Sequence, residues 1–412
     1  MRLLELGYEL PKNWREATIS DVTSKVGSGA TPRGGSSVYT NNGIPLVRSQ
    51  NVMDNSFSNA GLAFLSDQSA SSLKNVELRA NDVLLNITGD SILRCCLLPD
   101  VMIGGRVNQH VAIIRASDAV IPLYLQKWLV QDWFKDFMLS HSAGATRKAI
   151  TKGQILSFPI ALPPLPEQRR IAGVLGALDD KIESNRHSVS HAETLLDAIA
   201  EREAETLPEI ELRSICSLTK QTWKPQSSEE RSVDLYSIPA FDDGAFPEDA
   251  EVVSIKSNKT LISQAGILIS RLNPRISRMW WVDPDHSRTC VCSPEFAYLT
   301  SRSEDDLAST WLAVRSAQFQ SEILERVTGT SGSHQRVRPD DLITISVPDY
   351  RLLSDDIHAS VLGLLKLVNT LRKQSQSLAH LRDVILPKLL SGRMRVDEAG
   401  RLVSEALDEE AC

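Results

Sequence analysis

Two ladders of heptad-spaced residues constrain this chain more than any other feature. From Ile171 the positions step by four and three: Ile171, Leu175, Leu178, Ile182, Asn185, Val189, Ala192, Leu196 and Ile199. The same steps recur 186 positions later (Ile171 to Ile357), through Ile357, Val361, Leu364, Val368, Leu371, Ser375, Leu378, Arg382 and Ile385. An apolar seam of this period needs a second helix to cover it. The obvious cover is the other copy. Antiparallel pairing would set Ile171 near Ile385 and Asn185 near Leu371, with Asn185 and Ser375 fixing the register. The first helix would be roughly 43 Å long at ~1.5 Å per residue. That is more than a domain of ordinary size needs, which weighs against each helix packing only on its own domain.

The segments before the helices repeat as well. Runs at 44–47, 82–87 and 111–114 read as strands. The stretch Gly27-Ser-Gly-Ala-Thr-Pro-Arg-Gly-Gly reads as a loop, and 123–139 as a helix. Ala265-Gly-Ile-Leu-Ile-Ser matches Asn81-Asp-Val-Leu-Leu-Asn, and 307–327 matches 123–139. The fold class expected is mixed α/β (α+β): two globular domains and two long antiparallel coiled-coil helices, with pseudo-two-fold symmetry. The expected divisions are a first globular domain at 1–160 and a first helix at 161–206. A second globular domain follows at 207–348, a second helix at 349–395, and an acidic, loosely held tail at 396–412.

With 412 residues, two or three domains are expected. No apolar run reaches the length of a membrane span and no secretion signal is evident at the start. The six cysteines form no paired framework, which fits a reducing cytoplasm. Cys290-x-Cys292 near His286 is either half a metal site or a pair of buried thiols. The net charge of −7 is unevenly spread. Acids dominate 242–251, the first helix and the end of the chain, while bases cluster at 147–152, 271–278 and 336–338. Local patches, not the sum, decide phosphate binding.

One segment resembles a known family. Leu162-Pro-Pro-Leu-Pro-Glu-Gln-Arg-Arg-Ile-Ala-Gly-Val-Leu-Gly-Ala-Leu-Asp-Asp-Lys-Ile-Glu is similar to the central conserved region of specificity subunits of type I restriction-modification systems. Leu386-Pro-Lys-Leu-Leu-Ser-Gly-Arg-Met-Arg-Val resembles that family's carboxyl-terminal segment. Leu10-Pro-Lys-Asn-Trp14, with Gly43-Ile-Pro-Leu-Val, resembles the start of its target-recognition domains. The resemblance implies a non-catalytic subunit in which each globular domain reads one half of a split duplex-DNA target. The helices would set the gap and dock two methyltransferase subunits, and two restriction/translocase subunits would complete the assembly. S-adenosylmethionine, ATP and Mg would then be bound by partners. Val347-Pro-Asp-Tyr-Arg-Leu-Leu-Ser departs from the Pro-Pro-Leu-x-Glu-Gln form, so docking through identical residues in both halves is not implied. A protein adaptor holding two copies of a partner without reading DNA is the alternative.

Arg, Asn and Gln make the bidentate contacts that read base edges. In the first globular domain the candidates are Arg48, Gln50, Asn51, Arg106, Asn108 and Gln109. In the second they are Arg271, Asn273, Arg275 and Arg278, followed by Trp280 and Trp281, which either pack in the core or meet the nucleic acid. The loop at 142–148, with Thr146, Arg147 and Lys148, combines small residues with cations, as phosphate binding requires. Its counterpart at 330–336 carries Ser333, His334 and Arg336. A solvated turn is the alternative for both loops. No phosphate-loop, methyltransferase or nuclease motif is found, and the eight histidines form no recognisable ligand group.

Overall fold

The computed structural model describes residues 3–142, 148–284, 287–328 and 335–408. The chain divides into two compact units, residues 1–183 with 377–412, and residues 184–376. The boundaries fall inside the two long helices, Leu165–Ala204 and Asp355–Leu390.

In the first unit a four-stranded antiparallel sheet runs in the order Thr23–Ser28, Val111–Ala116, Asp82–Asn86, Cys95–Leu97. Alternate side chains leave a strand on opposite faces. Val83, Leu85, Cys95, Ala112 and Ile114 pack with the helices and the first half of the first long helix. Leu84, Cys96, Val111 and Ile113 pack with a second sheet. Burial on both faces is why these strands read as continuous apolar runs. The second sheet holds Tyr39–Thr40, Ala63–Leu65, Ile44–Val47 and Arg106–Val107, and its last two strands are parallel.

The second unit repeats this topology. Ser217–Thr219, Phe296–Thr300, Gly266–Ser270 and Met279–Val282 form the four-stranded sheet in the same relative order. Ile267, Ile269, Met279, Trp281 and Leu299 face the helices. Leu268, Trp280, Val282, Phe296 and Tyr298 face the other way. Both tryptophans are thus core residues, one on each face. The second sheet again holds a parallel pair, Ser232–Tyr236 with Cys290–Cys292, and gains Lys259–Ile262 and Thr222–Trp223 at one edge. Cys290 and Cys292 are buried strand residues. Among the described residues no group of His, Cys, Asp and Glu is placed to hold a metal; His286 lies outside them.

Each unit pairs its own stretches of the long helices antiparallel. In the first, Ile171, Leu175, Leu178 and Ile182 share a core with Leu378, Ile385, Leu386 and Leu389. There Arg382 donates to Asp179 at 3.0 Å, and Lys127 of the globular part also binds Asp179. In the second, Leu196 and Ala200 share a core with Val361, Leu362 and Leu365, and Arg372 pairs with Glu193 at 2.6 Å. Asn185 is a seam residue as expected, but its partner is Gln374, at 2.7 Å, and not Leu371. The register is displaced by about one turn. Val368 is buried in the seam, whereas Val189, Ile357, Leu364 and Leu371 are only half-buried.

Three other expectations change. The helix expected at 123–139 is two, Pro122–Leu129 and Asp132–Ser140; its twin is Glu304–Arg315 and Ala317–Glu325. In the twin, Ser316 makes the break, because its hydroxyl donates to Ala313 O and accepts from Phe319 N, capping the second helix. The glycine-rich loop is partly strand, since Thr23–Ser28 contains Gly27. Residues 396–408 are no loose tail. They form the helix Val396–Asp408, whose Ala399 and Val403 are buried in the first unit's core. Its acids had masked an apolar stripe of helical period.

The Asn185–Gln374 bond lies in a nearly dry seam, where losing one hydrogen-bond partner costs about 1–3 kcal/mol. Asn185→Leu alone is therefore expected to destabilise the second unit by that amount. Asn185→Leu with Gln374→Leu should recover most of the loss, read by the urea midpoint.

Candidate nucleic-acid interface

In open α/β sheets, ligands gather beyond the carboxyl ends of parallel strands. Each unit offers one such edge. In the first, Leu46 and Val47 pair with Arg106 and Val107, and Asn108 N donates to Val47 O at 2.9 Å as the strands end. In the second, Asp234 and Tyr236 pair with Cys290 and Cys292, and Ser293 N donates to Tyr236 O at 2.9 Å. The same bond closes both edges.

Gly29 lies over the first edge. Its N–H donates to Val111 O, and a Cβ there would stand 2.2 Å from Asn108 O and 2.3 Å from Val107 O. Only glycine fits. Thr31 follows and donates its hydroxyl to Gln109 Oε1 at 2.7 Å. Beside it, Thr88 Oγ1 and His110 Nδ1 are 2.7 Å apart. Thr88 also pairs by its backbone with Ala149, and Ile150 N donates to Ile87 O at 3.0 Å. The base of the expected phosphate loop, with exposed Lys148, is therefore joined to the exposed Gln109 and His110. Thr146 and Arg147 lie outside the described residues.

The structure sorts the sequence candidates of the first unit into two groups. Gln50 and Gln109 are exposed, and Arg48 is half-exposed beside the Tyr39 ring, 5.6 Å from its centroid. Asn51 and Arg106 cannot reach a base edge in this conformation. Asn51 is fully buried, accepting from Arg48 N at 3.0 Å and donating to Ser58 O and Ala60 O at 2.8 and 3.2 Å. Arg106 is buried with its guanidinium on Ala70 O, Gly104 O and Gly105 O. Both serve the loops. Asn108 is nearly buried and accepts from His110 N at 3.1 Å.

In the second unit three candidate cations, Arg271, Arg278 and Arg336, are engaged internally. Arg271 donates to Val337 O and Pro294 O at 3.1 and 2.9 Å. Arg278 grips Asp242 with two bonds of 2.6 and 2.8 Å, and Arg336 grips Glu295 with two of 3.0 and 2.8 Å. The backbone of Arg336 pairs with Leu272, as Ala149 pairs with Thr88, so the second loop has the same root as the first. Arg275 is exposed and outside any ion pair among the described residues. Asn273 has φ of 50° and a buried Oδ1 with no partner among them. Ser333 and His334 lie outside the described residues. Thr31, Thr88 and His110 in one unit, and Asp242 and Glu295 in the other, were missed in the sequence. Only the strand-end position of His110 and Glu295 could have signalled them.

The segments with the family resemblance meet one another in the first unit. Glu167 accepts from Trp14 Nε1 at 3.1 Å and from Asn13 Nδ2 at 3.2 Å. Gln168 is buried, accepting from Ile121 N at 2.8 Å and donating to Pro163 O at 2.8 Å. Gly392, at φ of 68°, lies so close to Pro11 that a Cβ would stand 2.3 Å from its ring. In the second unit, where that motif is absent, His358 bridges Tyr350 O and Ser309 Oγ at 2.9 and 3.1 Å.

The two units share one fold plan, each with a polar strand-end edge and its own stretch of paired long helices. Residues 11–191 match the model of the Type I restriction modification DNA specificity domain. The crystal structure of the type-I restriction-modification system S subunit from M. genitalium shares the fold: TM-score 0.58, 16% identity, 92% of this chain and 97% of that one covered. The HsdS subunit from Thermoanaerobacter tengcongensis aligns at TM-score 0.37 and 18% identity, over 94% of this chain and 99% of that one. No helix among the described residues is long and apolar enough to cross a membrane.

Gly29→Ala is expected to force the two turns of the first edge apart and to cost about 1–3 kcal/mol, as overpacking does. Thermal melting measures the cost, and faster amide exchange at residues 107–111 locates it.

Proposed function

We propose that this chain is the sequence-reading subunit of a type I restriction-modification assembly. Each globular domain reads one half of a bipartite duplex target at the edge beyond its parallel strand pair, and the paired helices fix the spacing. The helices also present docking surfaces for two methyltransferase subunits, to which two nuclease-translocase subunits are added in the full complex. S-adenosylmethionine, ATP and Mg belong to those partners, and the chain itself carries no catalytic step. The observation that carries this reading is the match of residues 11–191 to a DNA specificity domain. The repetition of the same topology in residues 217–300 supports a second reading head. An adaptor that ignores DNA would leave the domain match without explanation.

Within the edges, exposure favours Gln50, Gln109, His110 and Arg275 as base readers and Lys148 as a phosphate contact, and Arg147, outside the described residues, joins Lys148 on the sequence pattern alone. The two halves are also built differently where their long helices begin, on Glu167 and buried Gln168 in one and on Asp349, Arg351 and buried His358 in the other, so their docking surfaces are not copies of each other.

Arg147→Ala with Lys148→Ala should weaken duplex binding across sequences and flatten its salt dependence by about 2 in log–log slope, at about 0.9 for each phosphate no longer neutralised. A salt series on wild type and variant checks this. An altered target with an unaltered slope would count against it. Mapping methylated bases in the host genome tests the function as a whole. A split motif should vanish when this chain is deleted, and its survival would refute the proposal.

A further inference from the structure

The two reading edges carry opposite charge arrangements at one equivalent position. His110 and Glu295 hold the same place: Ile87 N donates to His110 O at 2.9 Å, and Arg271 N donates to Glu295 O at 2.8 Å. In the first head this residue faces a neutral hydroxyl, Thr88, and the loop residue opposite is Ala149. In the second head it is a carboxylate, and the loop residue opposite is Arg336, held by two parallel bonds of 3.0 and 2.8 Å. A fork of this kind is the geometry in which a guanidinium takes a phosphate. The pair is open to solvent, 45% exposed on the arginine side and 32% on the acid side. Solvent and salt screen even a two-bond pair at this exposure, so a phosphate can compete for its guanidinium. Arg278 and Asp242 repeat the arrangement on the same head.

Resting on the DNA-reading assignment above, we propose that Glu295 is a specificity-determining residue that acts as a phosphate competitor. In the free protein it occupies Arg336 and holds a negative charge where a duplex backbone must come. A duplex whose bases fit the edge displaces it, because base contacts compensate the lost ion pair. A duplex that does not fit is repelled. The second head thereby adds discrimination with little indiscriminate affinity, while the first head, with Lys148 exposed and no acid at the equivalent place, supplies the general grip.

The test is a salt series of binding by the full-length chain to a random-sequence duplex, read by fluorescence anisotropy. The same series is run on a duplex pool enriched by selection with the wild-type chain. Glu295→Gln keeps the side chain's shape and removes its charge. It should tighten binding to random duplex by about 3- to 10-fold at low salt, steepen the slope by about 1, and narrow the preference for the selected pool. Unchanged or weaker binding to random duplex would overturn the proposal, since Glu295 would then merely orient Arg336 toward phosphate. Asp242→Asn repeats the measurement at the other pair, should Glu295→Gln melt at a lower temperature than wild type. Arg336→Ala separates this from the underlying reading. If it flattens the slope while Glu295→Gln does nothing, only the competitor idea fails. If the wild-type chain shows no salt-dependent duplex binding, the DNA-reading assignment fails and this proposal with it.

Discussion

Alternate side chains of Asp82–Asn86 and Val111–Ala116 are buried against helices on one face and against a second sheet on the other, and the same holds for Gly266–Ser270 and Phe296–Thr300. Each fully buried aliphatic side chain contributes about 1.5–3 kcal/mol, so such a sheet anchors the packing on both of its faces. Both neighbours take their positions from it. The short parallel pair is set on one face, which places the proposed reading edge. The helices and their stretch of the long pair are set on the other. The one carboxylate buried in this sheet, Asp82, is neutralised by Arg115 through two bonds of 2.7 and 2.8 Å.

The helical side is tied by charge as well as by packing. Lys127 is almost wholly buried, and burial pulls its ammonium below the usual lysine range while Asp179 pulls it back. It binds Asp179 and Asn55 together, so one residue connects a long helix to a loop of the head. Replacing a buried ion pair by hydrophobic side chains often costs nothing in stability. A pair such as this therefore adds orientation more than free energy. Arg315 with Asp197 makes the corresponding tie in the second unit, less deeply buried.

What the sequence disclosed, it disclosed through period. The heptads revealed both long helices, with ends misplaced by up to about six residues, and the apolar runs revealed the central strands, because both signals come from burial that repeats along the chain. Register did not follow, since Asn185 is compatible with Leu371, Ser375 or Gln374 opposite it until the whole seam is packed. The breaks at 130–131 and at Ser316 carry neither proline nor glycine, so an apolar period ran through them unmarked. The terminal helix was hidden by its own charge. Among the reading candidates, residue type alone could not separate Asn51 and Arg106, which are buried with their polar groups on neighbouring carbonyls, from Gln50 and Gln109, which also bond neighbours but stay exposed. That distinction arises from tertiary contacts with residues such as Ser58 and Ala70.

The first unit is discontinuous, its core including Ala399 and Val403 from residues made more than two hundred positions after the helix they cover. Domains usually fold in the order of their synthesis. Here that order meets a constraint, because the second unit is one continuous stretch and the first is completed only by residues from 377 onward. Residues 184–376 are all available while the stretch from 377 onward is still being made, so the second unit can reach its native state first. The first must wait with an uncovered apolar strip on residues 171–182. During translation, therefore, the earlier-made half of this chain is the one exposed to chaperones and proteases for longest.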